Sequence, residues 1–445
     1  MFKIFANAWR VEDIRKKLLF IFLLLLVYRF GSAIPLPGID LELFYLARHG
    51  HGGMEWDAAM TIFAMIAGGG LGSIFYMGIA PYITASIIMQ LLTYAIPTLS
   101  AMQKEGEDGR KKIQQITRYL AVGLAAIQAA ATVFSYTNWP PGSPHPTNLF
   151  RLEHQNMLVY IMATGAMMTG TIFIMWLAEL LTEKGIGQGA SFLIFANILA
   201  GLPSGVMAMW VMVTGDPTLA TIASVVVLLV LFAAIVGFVV MVHEGERRIP
   251  VQYSRKAASG KGMYGNHNSY IPLKVNIAGV LSIIFAMSLI TFPAQIAQFF
   301  PSHVDAPNTL LENIASFFNF NDLHWVGMIT YVVLIFAFTH FYTSFAVNPV
   351  EMAENMKKNG GFIPGIRPGK PTSDFIQTTV NRLSWIGAVF YSLIALIPIL
   401  LQMMVPQLQV GFGGTSLLIV TGVALEFVKQ LESQLLMRHY KGFLE

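Results

Sequence analysis

The sequence predicts an all-α integral membrane protein of ten transmembrane helices, and three observations carry that expectation. Charged residues make up 12% of the 445 and hydrophobic ones 55%, against roughly 25% and 45–50% in soluble domains. Ten apolar stretches recur, near 18–38, 74–95, 114–136, 155–180, 190–212, 218–242, 276–299, 325–347, 383–404 and 412–436. Each comes close to the ~20 residues that cross a hydrocarbon core of roughly 30 Å. The basic residues, finally, fall in alternate connections.

The first stretch, LLFIFLLLLVY after Arg15, Lys16 and Lys17, imitates a signal peptide but runs on through Arg29 into FGSAIPLPGID with no small-residue cleavage site. It reads as a retained first span. The stretch TIFAMIAGGGLGSIFYMGIAPYITASIIMQLLTYAIP (61–97) begins with an apolar piece, 61–71, too short to cross, breaks at Gly68, Gly69, Gly70 and Gly72, and resumes as the second span. Broken backbone at membrane depth must line protein or a water-filled cavity. The stretch therefore reads either as a half-helix beside a pore or as a long core helix with a flexible kink.

Lys3, Arg10, Arg15, Lys16 and Lys17 precede the first span, and Lys104, Arg110, Lys111 and Lys112 follow the second. Lys184 follows the fourth span. Arg247, Arg248, Arg255, Lys256, Lys261 and Lys274 follow the sixth, Lys357, Lys358, Arg367 and Lys370 the eighth, and Lys429, Arg438 and Lys441 close the chain. The opposite connections hold Arg48 and Arg151. The positive-inside rule then puts both termini and every basic connection in the cytoplasm. Two of these connections, 243–275 and 349–382, are long and punctuated by Gly and Pro. Their Tyr, Ile and Pro content predicts structured protrusions; they read either as solvated loops meeting anionic lipid, the plainer reading, or as docking sites for a large acidic partner such as a ribosome or a motor protein.

Catalytic signatures are missing. The chain has no cysteine, which excludes disulfides and thiolate chemistry. His243-Glu244 is followed by GERR with no second histidine in register, and neither a nucleophile elbow nor a phosphate loop occurs. His340 lies inside an apolar segment, where packing is the plainer role. Glu179 and Glu426 are the carboxylates within spans, both toward the basic ends. An ion-coupled secondary transporter with a broken-helix midplane site stays open as an alternative. Arg29 is an awkward charge for a span, and either snorkelling or a partner in the bundle would relieve it.

Seven separated segments resemble the SecY family, the channel subunit of the bacterial protein translocase. They are VYRFGSAIPLPGID, GIAPYITASIIMQLL, EGEDGRKKIQQITRY, GTIFIMWLAELLTEKGIGQGASFLIFANILAGLP, YIPLKVNIAGV, GFIPGIRPGKPT and FGGTSLLI, in the family's order. The resemblance implies two five-helix halves related by an inverted pseudo-repeat. These would be 1–212, with a plug near 61–73 hinged at Gly68, Gly69, Gly70 and Gly72, and 213–445.

It implies an hourglass pore whose ring falls on Ile79, Ile83, Ala190, Ile194, Ile284 and Ile419, excluding water and ions by dewetting. Ile79/Ile83 and Ala190/Ile194 are i,i+4 pairs, so each projects from one helical face whatever the family. A lateral gate would lie between the second and seventh spans, helped by the third and eighth, with a polar cluster of Thr84, Gln128 and Asn276. For each of these three alone, a local bond to the backbone is the plainer role. Docking would use Arg247, Arg248, Arg255, Lys256, Lys357, Lys358 and Arg367.

By the same resemblance the chain has no catalytic site and needs no cofactor or metal. Its partners would be the small subunits SecE and SecG, the SecA motor ATPase, ribosomes, signal sequences and precursor chains, and anionic lipid. Ala190 is smaller than the family's usual aliphatic residue, and the plug is about two residues short; both bear on how well the pore closes.

Overall fold

A computed structural model describes residues 7–40, 72–137, 148–151, 156–215, 218–253, 269–275, 277–297, 325–404 and 414–441. Its helices are α1 (Glu12–Ser32), α2 (Ala80–Ala95), α3 (Pro97–Lys104), α4 (Glu107–Thr137), α5 (Met157–Lys184), α6 (Gly189–Gly215), α7 (Leu219–Glu244), α8 (Leu281–Ala297), α9 (Trp325–Ala346), α10 (Pro349–Lys358), α11 (Lys370–Met404) and α12 (Gly414–Lys441). Each of the ten apolar stretches overlaps one of them. Among the described residues, five helices are long and apolar enough to cross a membrane, and the pair α2–α3, bent by 100°, makes a sixth if counted as one span. Pro97 explains that bend: it cannot continue the ladder of α2 and pushes Ile96 into extended backbone.

Several boundaries differ from the sequence reading. The second span does not begin at 74. Residues 74–79 are a run of turns, and helix starts at Ala80, after Gly72 and Gly78 have taken left-handed backbone (φ 73° and 51°). Charged helix extends beyond two apolar windows, from Glu107 into the third span and from Lys370 into the ninth. Arg29 is exposed on α1 and forms no ion pair among the described residues.

On α4, Ala121, Ala125 and Ala129 recur every fourth residue and are fully buried. This narrow stripe lets α2 and α5 close on α4 from either side. At the end away from the basic connections, the proline-rich segment after α1 is stitched to its surroundings by backbone. Leu36 N–H donates to Gly72 (2.8 Å), Ile74 N–H to Ile34 (3.1 Å), and Asp40 N–H to Leu149 (2.9 Å). A small core of Leu36, Ile39, Tyr76, Met77, Tyr136 and Phe150 seals that end.

The all-α expectation needs correction on the opposite side, where a three-stranded sheet forms in the order β2-β1-β3 from β1 (Glu246–Tyr253), β2 (Ser269–Lys274) and β3 (Gly361–Phe362). β1 and β2 are an antiparallel hairpin, and β3 comes from the other long connection, so the sheet ties the two together. The register pairs Arg248 with Pro272 and Pro250 with Tyr270. Proline has no N–H to give a ladder, so both must be non-hydrogen-bonded pairs of the hairpin, with each ring nitrogen facing away from the paired strand. Ile249, Val251 and Leu273 alternate with them and turn inward onto Met356, Ile363, Ile376 and Val380. The described parts of the two long connections thus share a structured core.

Candidate functional site

The positioning of Ile79 begins at Phe75. This ring stacks between Tyr28 of α1 (centroids 6.1 Å apart) and Phe173 of α5 (5.9 Å). Two glycines make the space. A β-carbon on Gly31 would strike the Phe75 ring, and one on Gly170 would strike the Ile74 carbonyl. The turns 74–79 are thereby pinned, and Ile79 caps α2 with Ile83 one turn on, Ile83 N–H donating to Ile79 O at 3.1 Å. Ile194 lies on α6, Ile284 on α8 and Ile419 on α12. The five isoleucines are buried in one continuous apolar cluster, with Ala190 half-buried against it. The predicted ring positions thus come from four helices and belong to, or pack against, the same large apolar core.

Of the plug-hinge glycines, Gly72 has the left-handed backbone that only glycine adopts cheaply. Gly68, Gly69 and Gly70 lie outside the described residues, as does nearly all of the segment 61–73. Of the seam residues, Thr84 donates to its own helix at Ala80 O (3.1 Å), the local role weighed for it. Gln128 is half-buried on α4, and Asn276 lies outside the described residues. Of the helices named for the seam, α2 lies against both α4 and α8, and α8 against α9.

The docking candidates sit on the sheet and the elements beside it. Arg247 and Arg248 are exposed on β1. Arg248 Nε donates to Glu246 Oε1 at 2.6 Å, and its guanidinium lies 4.9 Å from the Tyr270 ring centre, its diagonal neighbour on the outward face. The hydrogen bond to Glu246, then the charges of Tyr270 and Glu246, hold the guanidinium protonated even more firmly than usual. Lys357 and Lys358 are exposed on the last turn of α10, where they face the negative end of its dipole. That helix starts on Asn348, whose side chain accepts from Glu351 N–H, with Pro349 in the first turn. Arg367 is exposed in a turn between Gly365 and Gly369, both left-handed, and its carbonyl accepts from Thr372 Oγ1 (2.8 Å). Arg255 and Lys256 lie outside the described residues.

Sequence reasoning did not pair the charges of α4 and α5. Arg118 Nε of α4 donates to Glu179 Oε1 of α5 at 2.6 Å, with Gln114 of α4 beside it at 3.4 Å. The signal was there: Glu179 and Arg118 are both charges in long apolar helices, and each offers the other a partner.

The SecY family model matches residues 73–428. Over the whole length of both chains, the sequence is 40% identical to the protein translocase subunit SecY of Halalkalibacterium halodurans and 39% identical to that of Bacillus subtilis. The chain belongs to the SecY family. A SecY relative from Streptomyces coelicolor is 42% identical, again end to end. Among solved structures, one described as a protein-conducting channel superposes with a TM-score of 0.66 at 19% identity, covering 93% of this chain and 90% of that one. Sec61 in a canine ribosome–channel complex gives 0.63 at 18% identity, covering 93% and 90%. At such identities these two establish the shared SecY/Sec61 fold. Membership in the family displaces the secondary-transporter alternative.

Proposed function

We propose that this chain is the protein-conducting subunit of a translocase in the cytoplasmic membrane. It passes unfolded polypeptides across and releases apolar segments sideways into lipid. The observation that supports this reading is that Ile79, Ile83, Ile194, Ile284 and Ile419, from four helices remote in sequence, are all buried in the same apolar core, with Ala190 packed against it. Aliphatic side chains at a narrow waist exclude water without asking for any particular hydrogen bond, so chains of varied sequence pass while ions do not. The same reading divides the chain into halves at 1–212 and 213–445, each with five of ten spans, and makes 61–73 a plug turning on Gly68, Gly69, Gly70 and Gly72. Thr84, Gln128 and Asn276 are its polar gate residues.

Both termini and the sheet-bearing face are cytoplasmic in this reading, supported by the asymmetry of the basic residues. SecA or a ribosome docks there, on Arg247, Arg248, Arg255, Lys256, Lys357, Lys358 and Arg367, while SecE and SecG clamp the helices and anionic lipid surrounds them. Solved relatives include the canine Sec61 complex with a ribosome and a yeast Ssh1 complex bound to the 80S ribosome. The chain itself carries no reaction; the work comes from the docked ATPase or from translation.

The test is reconstitution of the chain with its small subunits in sealed vesicles. A secretory precursor should become protease-protected only with the motor and ATP present. Solute uptake driven by a proton or sodium gradient, without precursor protection, would overturn the reading.

A further inference from the structure

The last turn of α2 carries a large aromatic residue that the core does not absorb. Tyr94 is 75% exposed, although its neighbour Thr93 is buried and bonded to Met89 O (2.7 Å), which fixes the rotation of that turn. Leu91, Leu92 and Ile96 are exposed around it. Tyr94 nevertheless has one specific contact. Its ring meets Phe341 of α9 edge-on, with centroids 5.5 Å apart and planes at 80°. Immediately beyond, the chain breaks at Pro97 and turns through 100° into α3. The contact thus lies where α2 ends on the basic side, and it joins two helices from distant parts of the chain, one on each side of the proposed lateral gate.

We infer that Tyr94 and Phe341 form an aromatic latch across the cytoplasmic end of the gate, and that it sets how apolar a segment must be to part α2 from α9. The inference rests on the channel reading above. An edge-to-face pair has a preferred geometry but little reach, so it holds the closed state by a modest factor and releases completely once the helices separate. Its exposure matters in two ways. An arriving apolar helix can replace Phe341 as the neighbour of Tyr94 without the core repacking, and removing the ring leaves no cavity behind. Both residues are positioning residues: they act on the α2–α9 distance and read no sequence.

The experiment uses the reconstituted complex and precursors whose signal segments are graded in leucine content. Tyr94→Ala and Phe341→Ala should each raise transport of a threshold segment by about two- to tenfold, the factor an edge-to-face pair contributes to a two-state balance. Strongly apolar segments should pass as before. Tyr94→Phe should match the parent, and the double alanine variant should add nothing to either single one. In the naturally cysteine-free chain, Tyr94→Cys with Phe341→Cys should be joined at rest by a short bismaleimide, each thiol adding across one maleimide double bond to form a thioether, and a bound signal peptide should lower the yield. Additive alanine effects, an unmoved threshold, or a crosslink insensitive to signal peptide while the parent complex transports would overturn the latch. Failure of the parent complex to transport any precursor would instead remove the channel reading, and the latch with it.

Discussion

Two helix contacts in this molecule are built differently. Between α4 and α5, an alanine stripe brings the backbones close, and Arg118 closes the joint on Glu179 at 2.6 Å, with side chains 43% and 18% exposed. Between α2 and α9, a tyrosine touches a phenylalanine edge-on at a largely exposed position. Opening the first strands a half-buried carboxylate beside an unpaired guanidinium, a costly state. Opening the second exposes one ring edge to surroundings that are already apolar. On the channel reading, the contrast separates joints that hold helices together throughout a working cycle from joints that part within it. The proposed ring would belong with the second kind, since its isoleucines are buried in purely apolar surroundings.

The predictions break or sharpen this division. The largest effect is expected at the waist. Ile83→Gly with Ile194→Gly removes two buried side chains, each worth about 2–5 kcal/mol when truncated in a closed core, and should raise ion leak in planar bilayers. Unchanged conductance would take both residues out of the ring. On the fixed side, Gly170→Val drives a side chain into the Ile74 carbonyl and should cost about 3 kcal/mol, the top of the overpacking range. Thermal unfolding in detergent should show that loss, because the clash is with backbone that Phe75 holds in place.

Glu179→Gln should cost about 1–2 kcal/mol, discounted for the exposure of Arg118. A double variant with Arg118→Gln should recover part of it, since no unpaired charge remains; equal or larger loss would mean the pair is incidental to the joint. The smallest effect on folding belongs to Arg248→Ala, within about 0.5 kcal/mol as for other surface changes. It should weaken binding of an acidic partner at low salt and lose that effect as ionic strength rises. Because an arginine guanidinium stays protonated well above neutral pH even before Glu246 raises its pKa further, the contribution of Arg248 should stay flat from about pH 5 to 9.

The division was only partly legible in the sequence. Apolar run length and the placement of lysine and arginine are local signals, and each predicted span overlaps a helix. The glycine run announced a break, yet the start of α2 at Ala80 depends on Gly31 and Gly170, which lie on other helices and admit the 74–79 turns. The sheet was harder still. β3 is a two-residue strand that pairs with β1 across about a hundred residues of chain, and no local periodicity of 361–362 signals it. Thr84 shows the reverse limit, because a hydroxyl that motif order assigns to the gate is bonded to its own helix. Arg118 and Glu179 were individually conspicuous, but α4 and α5 had to be laid side by side before they became a pair.

The most direct measurement follows a chain through the waist. With the cysteine-free protein as background, Ile83→Cys, Ile284→Cys and Ile419→Cys are introduced one at a time, and a secretory precursor is stalled in transit. All three positions should crosslink to the stalled chain, while Phe22→Cys and Val227→Cys, on exposed outer faces of α1 and α7, should not. Crosslinks at the outer faces with none at the three isoleucines would contradict the account.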